Sequence, residues 1–125
     1  MPKEIVSTEN APKSAAYSQA VKSNGFVFVS GQGPFDPVTG DVVGTTIQEQ
    51  TRQSLTNVET VLVAAGSTLA QVVSATFILG DGEDFVGMNE EWVRWFPTEP
   101  PARQGTRLPI RTKGMKISIA VIAEV

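Results

Sequence analysis

Met115-Lys116-Ile117-Ser118-Ile119-Ala120-Val121-Ile122-Ala123-Glu124 is the stretch on which the fold turns. In an extended chain, Ile117, Ile119 and Val121 fall on one side, and Lys116, Ser118, Ala120 and Ile122 on the other. Both sides carry apolar residues. Such a strand is buried twice, under helices on one side of its sheet and under a second cover on the other. A homo-oligomer supplies that second cover.

The rest of the chain fits around this strand. Val72 to Leu79 is β-branched and apolar, a second strand that Gly80-Asp81-Gly82 breaks. Phe26-Val27-Phe28-Val29-Ser30 follows the turn pair Asn24-Gly25 and reads as another, ended by Gly31, Gly33 and Pro34. Asp36-Pro37-Val38-Thr39-Gly40 is turn chemistry. A helix begins at Thr46, where Thr46-Ile47-Gln48-Glu49 has capping-box spacing. Leu55, Val58, Leu62 and Ala65 form its apolar face, and Gly66 ends it. A second helix spans about Asp84 to Phe96, with Phe85, Met88, Trp92, Trp95 and Phe96 on one face as core packing. Pro97 closes it. Residues 103–108 are expected to form a strand. The polar residues 1–20, with Pro2 and Pro12, read as an extended arm. Strands, helix, strand, helix, strands predicts an α+β domain over residues 1–125, a mixed sheet with two helices packed on one face.

Composition narrows the chemistry. The 125 residues include no cysteine and no histidine. Zinc sites built on sulfur or imidazole are excluded, as are serine–histidine and cysteine–histidine nucleophile pairs. The net charge of −3 argues against nucleic acid as a main partner. Arg103, Arg107, Arg111 and Lys113 make only a local basic stretch. No apolar run approaches membrane-spanning length. The start, Met1-Pro2-Lys3-Glu4, lacks the apolar segment of a signal peptide, so a cytoplasmic protein is expected.

Arg103, in Pro101-Ala102-Arg103, is the candidate for function. Pro97, Pro100 and Pro101 stiffen its approach. A guanidinium on so constrained a backbone is either a preorganised fork for a carboxylate or an ordinary surface ion-pair partner.

The order of short motifs resembles the RidA/YjgF family, the reactive-intermediate deaminases. The matches are Asn10-Ala11-Pro12, Tyr17, Val29-Ser30-Gly31-Gln32 and Asp36-Pro37-x-Thr39-Gly40. They continue with Gln50-Thr51-Arg52-Gln53-Ser54-Leu55-x-Asn57-Val58, Asn89 and Pro101-Ala102-Arg103. The resemblance implies a chorismate-mutase-like fold and a barrel-like homotrimer, with sheets inside, helices outside and ligand clefts between subunits. It implies cofactor-independent hydrolysis of 2-imino or 2-enamino acids to 2-keto acids and ammonia. By position, Arg103 matches the arginine that grips the substrate carboxylate. Tyr17 matches a cleft tyrosine, Ser30 and Gly31 the loop that touches ligand, and Asn89 a cleft asparagine. Residue by residue, blander roles stay open: Tyr17 as a packed surface tyrosine, Ser30-Gly31 as a strand end, Asn89 as helix surface.

Two departures stand out. The family usually has a water-positioning glutamate where this chain has Ser118, and often a cysteine where it has Gly105. Serine can hydrogen-bond a water but is a poor base. Glu124 shares the parity of Ser118 but lies about 20 Å further along a strand. Turnover is therefore expected to be weakened or redirected. The alternative is a non-catalytic protein that binds small carboxylate or carbonyl metabolites. The ribonuclease role associated with some relatives fits poorly with an acidic chain lacking histidine. A strand over 103–108 would also put Arg103, Gly105 and Arg107 on one face. Gly105 would then open space between two arginines, a cleft for a larger or dianionic ligand. The competing reading has Arg107 facing solvent or forming an intersubunit ion pair.

Overall fold

The alternating run near the C-terminus becomes the middle of a sheet. A computed structural model describes residues 2–125. Its strands are β1 (Glu4–Val6), β2 (Ala20–Ser23), β3 (Phe26–Gln32), β4 (Val72–Leu79), β5 (Ala102–Arg107) and β6 (Ile117–Glu124). They form one six-stranded sheet in the order β1-β2-β3-β6-β4-β5. β6 runs antiparallel to both β3 and β4, and β5 alone pairs in parallel, with β4. The helices are α1 (Ile47–Ala64) and α2 (Phe85–Trp95).

On β6, Ile117, Ile119, Val121 and Ala123 are buried, and their face carries the core together with Leu55, Val58 and Leu62 of α1 and Met88 and Trp92 of α2. Each isoleucine withdrawn from water in this way contributes about 1.5–3 kcal/mol. Ser118, Ala120 and Ile122 face the other way and are half-buried in the single chain. On that open face Phe26 and Phe28 of β3 remain exposed. The expected α+β sheet with two helices is thus present, with one sheet face covered and one open.

The helix ends follow their sequence signals. The Thr46 side chain accepts from the Glu49 backbone N–H, and the Glu49 carboxylate accepts from that of Thr46, closing the capping box. At the other end Gly66 takes φ +86°, while Ser67 N–H bonds to Leu62 O and Gly66 N–H to Val63 O. That pair of bonds is the Schellman arrangement.

Several boundaries differ from expectation. Residues 1–20 are not simply an arm: β1 lies within them and β2 starts at Ala20. β2 and β3 form a hairpin across Asn24 (φ 54°) and Gly25 (φ 85°), the left-handed pair that matches strand twist. β3 does not stop at Gly31 but continues to Gln32 through a register shift between Val29 and Gln32. β6 begins at Ile117 rather than Met115.

The polar motif of α1 acts as a clamp. Asn57 Nδ2 donates to Gly33 O and Phe35 O, and Gln50 Nε2 donates to Gly44 O and Gly114 O. Gln50 Oε1 accepts from Lys116 N–H at 2.8 Å. These buried amides satisfy loop groups that would otherwise be stranded away from water. Arg52 reaches the buried Glu91 of α2, whose Oε2 also accepts from Trp95 Nε1. Among the described residues, no helix is long and apolar enough to cross a membrane.

Candidate functional site

Arg103 pairs in register with Ala75 of β4, a buried residue on the helix-covered side of the sheet. Its side chain therefore runs toward α2. There the guanidinium carbon stands 5.0 Å from the ring centroid of Trp92, 5.1 Å from that of Phe77 and 5.7 Å from that of Phe85. Each separation is within cation–π range. Nη1 donates to Asn89 Oδ1 at 2.7 Å. Among the described residues this is its one hydrogen bond, and no carboxylate pairs with it. Burial against the rings pushes the guanidinium below its ordinary pKa, and arginine remains cationic near neutrality all the same. The result is a charged fork held on a partly apolar seat with most of its donors free.

The aromatic seat was hidden in the sequence as core. Trp92 and Phe77 are indeed buried, but Phe85 is 42% exposed. The available signal is spacing: Phe85, Asn89 and Trp92 lie four and three residues apart, one face of a helix.

Gly105 pairs with Phe77 across the parallel ladder, and a methyl group built on Gly105 would collide with the Phe77 ring. The space expected between the two arginines is therefore filled, because the ring leans over the strand that lacks a side chain. Arg107 pairs with Leu79 and passes beside the 81–84 turn, its Cδ 3.6 Å from where a Cβ on Gly82 would stand. It forms no ion pair among the described residues.

The other candidates gather on the open face. Ser118 pairs with Ile78 in the ladder, and a Cβ on Gly31 would come within 2.8 Å of Ser118 Oγ. The register shift in β3 brings Gly31 there. Ser30 Oγ donates to Ser18 O at 2.7 Å, and Ser30 N–H to Gln19 O at 3.0 Å. These bonds tie the segment after Tyr17 to β3. Gln19 fixes that segment in turn: its Oε1 accepts from Thr8 N–H, and its Nε2 faces the carbonyls of Thr8, Ala11 and Pro12. Tyr17 itself is 57% exposed.

The candidates thus form two groups on opposite sides of the sheet. Arg103, Asn89, Gly105 and Arg107 lie toward the helices, Gly31 and Ser118 toward the open face, and Ser30 holds Ser18, the residue after Tyr17. A single chain does not bring the groups together. A hollow of about 740 Å³ is lined by Gly80, Asp81, Asp84, Ile110 and Lys116, none of them a candidate. Tyr17 lines a separate hollow of about 420 Å³ with Lys13, Ser18 and Gln19.

An α+β sheet carrying an unpaired, seated arginine on its edge strand defines a recognisable class, and comparison with known proteins says which one. The family model described as Endoribonuclease L-PSP matches residues 8–125. A RutC family protein of Pyrococcus horikoshii is 43% identical over 122 residues, covering 97% of each chain. A 2-iminobutanoate/2-iminopropanoate deaminase of Capra hircus is 36% identical, over 97% of this chain and 89% of the relative. Among solved structures, E. coli TdcF with bound serine superimposes with a TM-score of 0.90 at 32% identity, covering 98% of both chains. The chain belongs to the RidA/YjgF family.

Proposed function

We propose that this protein hydrolyses 2-imino and 2-enamino acids to 2-keto acids and ammonia, without a cofactor, in clefts between the subunits of a homotrimer. The observation that carries the reading is Arg103, a guanidinium oriented by Asn89 and seated on rings, with no carboxylate paired to it among the described residues. Such a fork fits a substrate carboxylate. Relatives named as a reactive intermediate deaminase and as a 2-iminobutanoate/2-iminopropanoate deaminase, and a related structure holding serine, an amino acid with that carboxylate, support it.

The chemistry asks little of the protein. Water adds to the imine carbon, forming a C–O bond while the C=N π electrons move to nitrogen. Two protons then pass from the added oxygen to nitrogen, the first giving the carbinolamine and the second turning its amino group into a leaving ammonium. The C–N bond then breaks, ammonia departs and the carbonyl forms. An enamine first takes a proton at carbon to become the imine. Arg103 anchors the carboxylate, Gly31 lets the substrate approach the backbone, and the Ser118 hydroxyl orients water. Tyr17 and Ser30 line the cleft. Because the two groups of residues lie on opposite sides of the sheet, Arg103 of one subunit works with Tyr17, Gly31 and Ser118 of the next. The open apolar face with Phe26 and Phe28 is the surface that the trimer covers.

The test is ammonia release from imino acids generated in situ by an amino-acid oxidase. The protein accelerates it, and Arg103→Ala abolishes the acceleration. No acceleration across several amino-acid imines rejects the reading. Ser118, in place of a glutamate, favours one alternative, a binder of small carboxylates without turnover. Calorimetric binding of 2-oxobutanoate with no accelerated ammonia release identifies that case.

A further inference from the structure

The ring of Phe77 does something unusual for a strand side chain. It leans sideways across the ladder and covers Gly105 of the neighbouring strand. Side chains on a strand ordinarily stand roughly perpendicular to the sheet. A Cβ at position 105 would meet the ring head-on, so the lean depends on that Cβ being absent. The leaning ring then lies 5.1 Å from the guanidinium carbon of Arg103, on the same strand as Gly105 and on the same side of the sheet. Phe85 and Trp92, the other two rings of the seat, come from the neighbourhood of α2 and pack on Phe77 at centroid separations of 6.0 and 6.5 Å.

We propose that Phe77 is a positioning residue for Arg103, and that glycine at position 105 is the partner that lets the ring serve as its platform. This rests on the reading of Arg103 as the carboxylate anchor. An arginine on an exposed edge strand has many rotamers to lose before it can grip an anion. The rings and Asn89 settle that question before the ligand arrives, which is preorganisation of the fork. Phe77 is the sheet's own contribution to the seat. In the ladder it sits opposite Gly105, midway between Arg103 and Arg107 on β5.

The experiment uses full-length protein, 2-oxobutanoate as the calorimetric probe, thermal melting, and the Arg103 Nε–Hε resonance by NMR. In the unsubstituted protein the three rings are expected to displace that resonance from its ordinary position through their ring currents. Phe77→Leu keeps most of the volume but removes the π face. It is expected to return the resonance toward its ordinary position and to weaken 2-oxobutanoate binding by about tenfold or more. Gly105→Ala does the same by pushing the ring away, and it lowers the melting temperature through the clash. The double variant Phe77→Val with Gly105→Ala relieves the clash, so the melting temperature recovers while affinity does not.

Recovery of affinity together with stability in the double variant would overturn the proposal, since only packing would then be at stake. So would an undisplaced resonance in the unsubstituted protein, or full affinity in Phe77→Leu. Failure of the underlying reading looks different. Arg103→Ala would then bind 2-oxobutanoate as tightly as the parent, while the resonance would still decide where Phe77 holds the guanidinium.

Discussion

Gly31 and Ser118 meet across the register shift of β3. A side chain on Gly31 would start 2.8 Å from the Ser118 hydroxyl oxygen, so the two positions share one small space on the open face of the sheet. The space admits a longer side chain at 118 only because position 31 has none. Ser118→Glu should therefore fit, and should supply the acid–base group that serine lacks. Ammonia release from imino acids is expected to rise about 10²-fold or more, with 2-oxobutanoate affinity little changed. A glutamate variant no faster than the parent would show that Ser118 does not limit turnover.

Asn89 presents a neutral oxygen to Arg103 at 2.7 Å. Changing it to aspartate places a formal negative charge where that oxygen stands. The guanidinium then has an internal counter-ion, and a substrate carboxylate must displace it. Asn89→Asp is expected to lose carboxylate binding more severely than Asn89→Ala, with no loss of thermal stability. Calorimetry with 2-oxobutanoate beside a melting curve checks both parts, and stronger binding in the aspartate variant would refute the assignment.

Two defective chains should repair each other. Arg103→Ala removes the anchor from one side of the proposed intersubunit cleft, and Gly31→Val blocks the other side. Each variant alone is expected to be inactive. After unfolding and refolding the two together, clefts that pair an intact Arg103 with an intact Gly31 regain activity. Activity no higher than that of the separate variants would mean that one subunit supplies both groups.

Acid should weaken this fold partly through Glu91. Burial pushes its carboxyl up, but hydrogen bonds from Arg52 and Trp95 and the charges of Arg52 and Arg94 outweigh this and hold it below the usual range. The unfolded chain therefore takes up the proton more readily than the folded one. The stabilisation is present above the ordinary glutamate pKa and is lost as pH falls through the depressed folded value. Urea titrations near pH 7 and near pH 3 should show a smaller stability gap in Glu91→Gln than in the parent. The effect will be modest, because Arg52 is half exposed to solvent. An unchanged gap would assign the acid response to other carboxylates, such as Asp36 and Glu49, which backbone N–H groups also hold low.

The inner sheet is legible from sequence because its strands must be apolar. β4 is expected at the residues where it occurs, and β3 and β6 differ only at their ends. α1 is equally plain, since Thr46, Glu49 and Gly66 punctuate it. β1 is hidden because three residues carry no period, and β2 because Lys22 and Ser23 dilute its pattern. β5 lies exposed along its whole length, so local pattern says nothing of its parallel partner. That partner decides where Arg103 points and what lies over Gly105. The arginine could be singled out from its prolines, but its aromatic seat depends on a pairing made through the α2 crossover.

β6 joins β3 on one side to β4 on the other, so the two halves of the sheet meet only through it. Phe26 pairs with Glu124, a contact that spans most of the chain. During synthesis the hairpin of β2 and β3 and the later β4–β5 unit emerge with open edges, and they wait for the strand made last of the six. Contacts this distant in sequence slow folding, and strand edges left open meanwhile invite aggregation. A chain that ends before residue 117 lacks the one strand that joins the two halves of the sheet, so both halves keep an open edge until Ile117–Glu124 is in place.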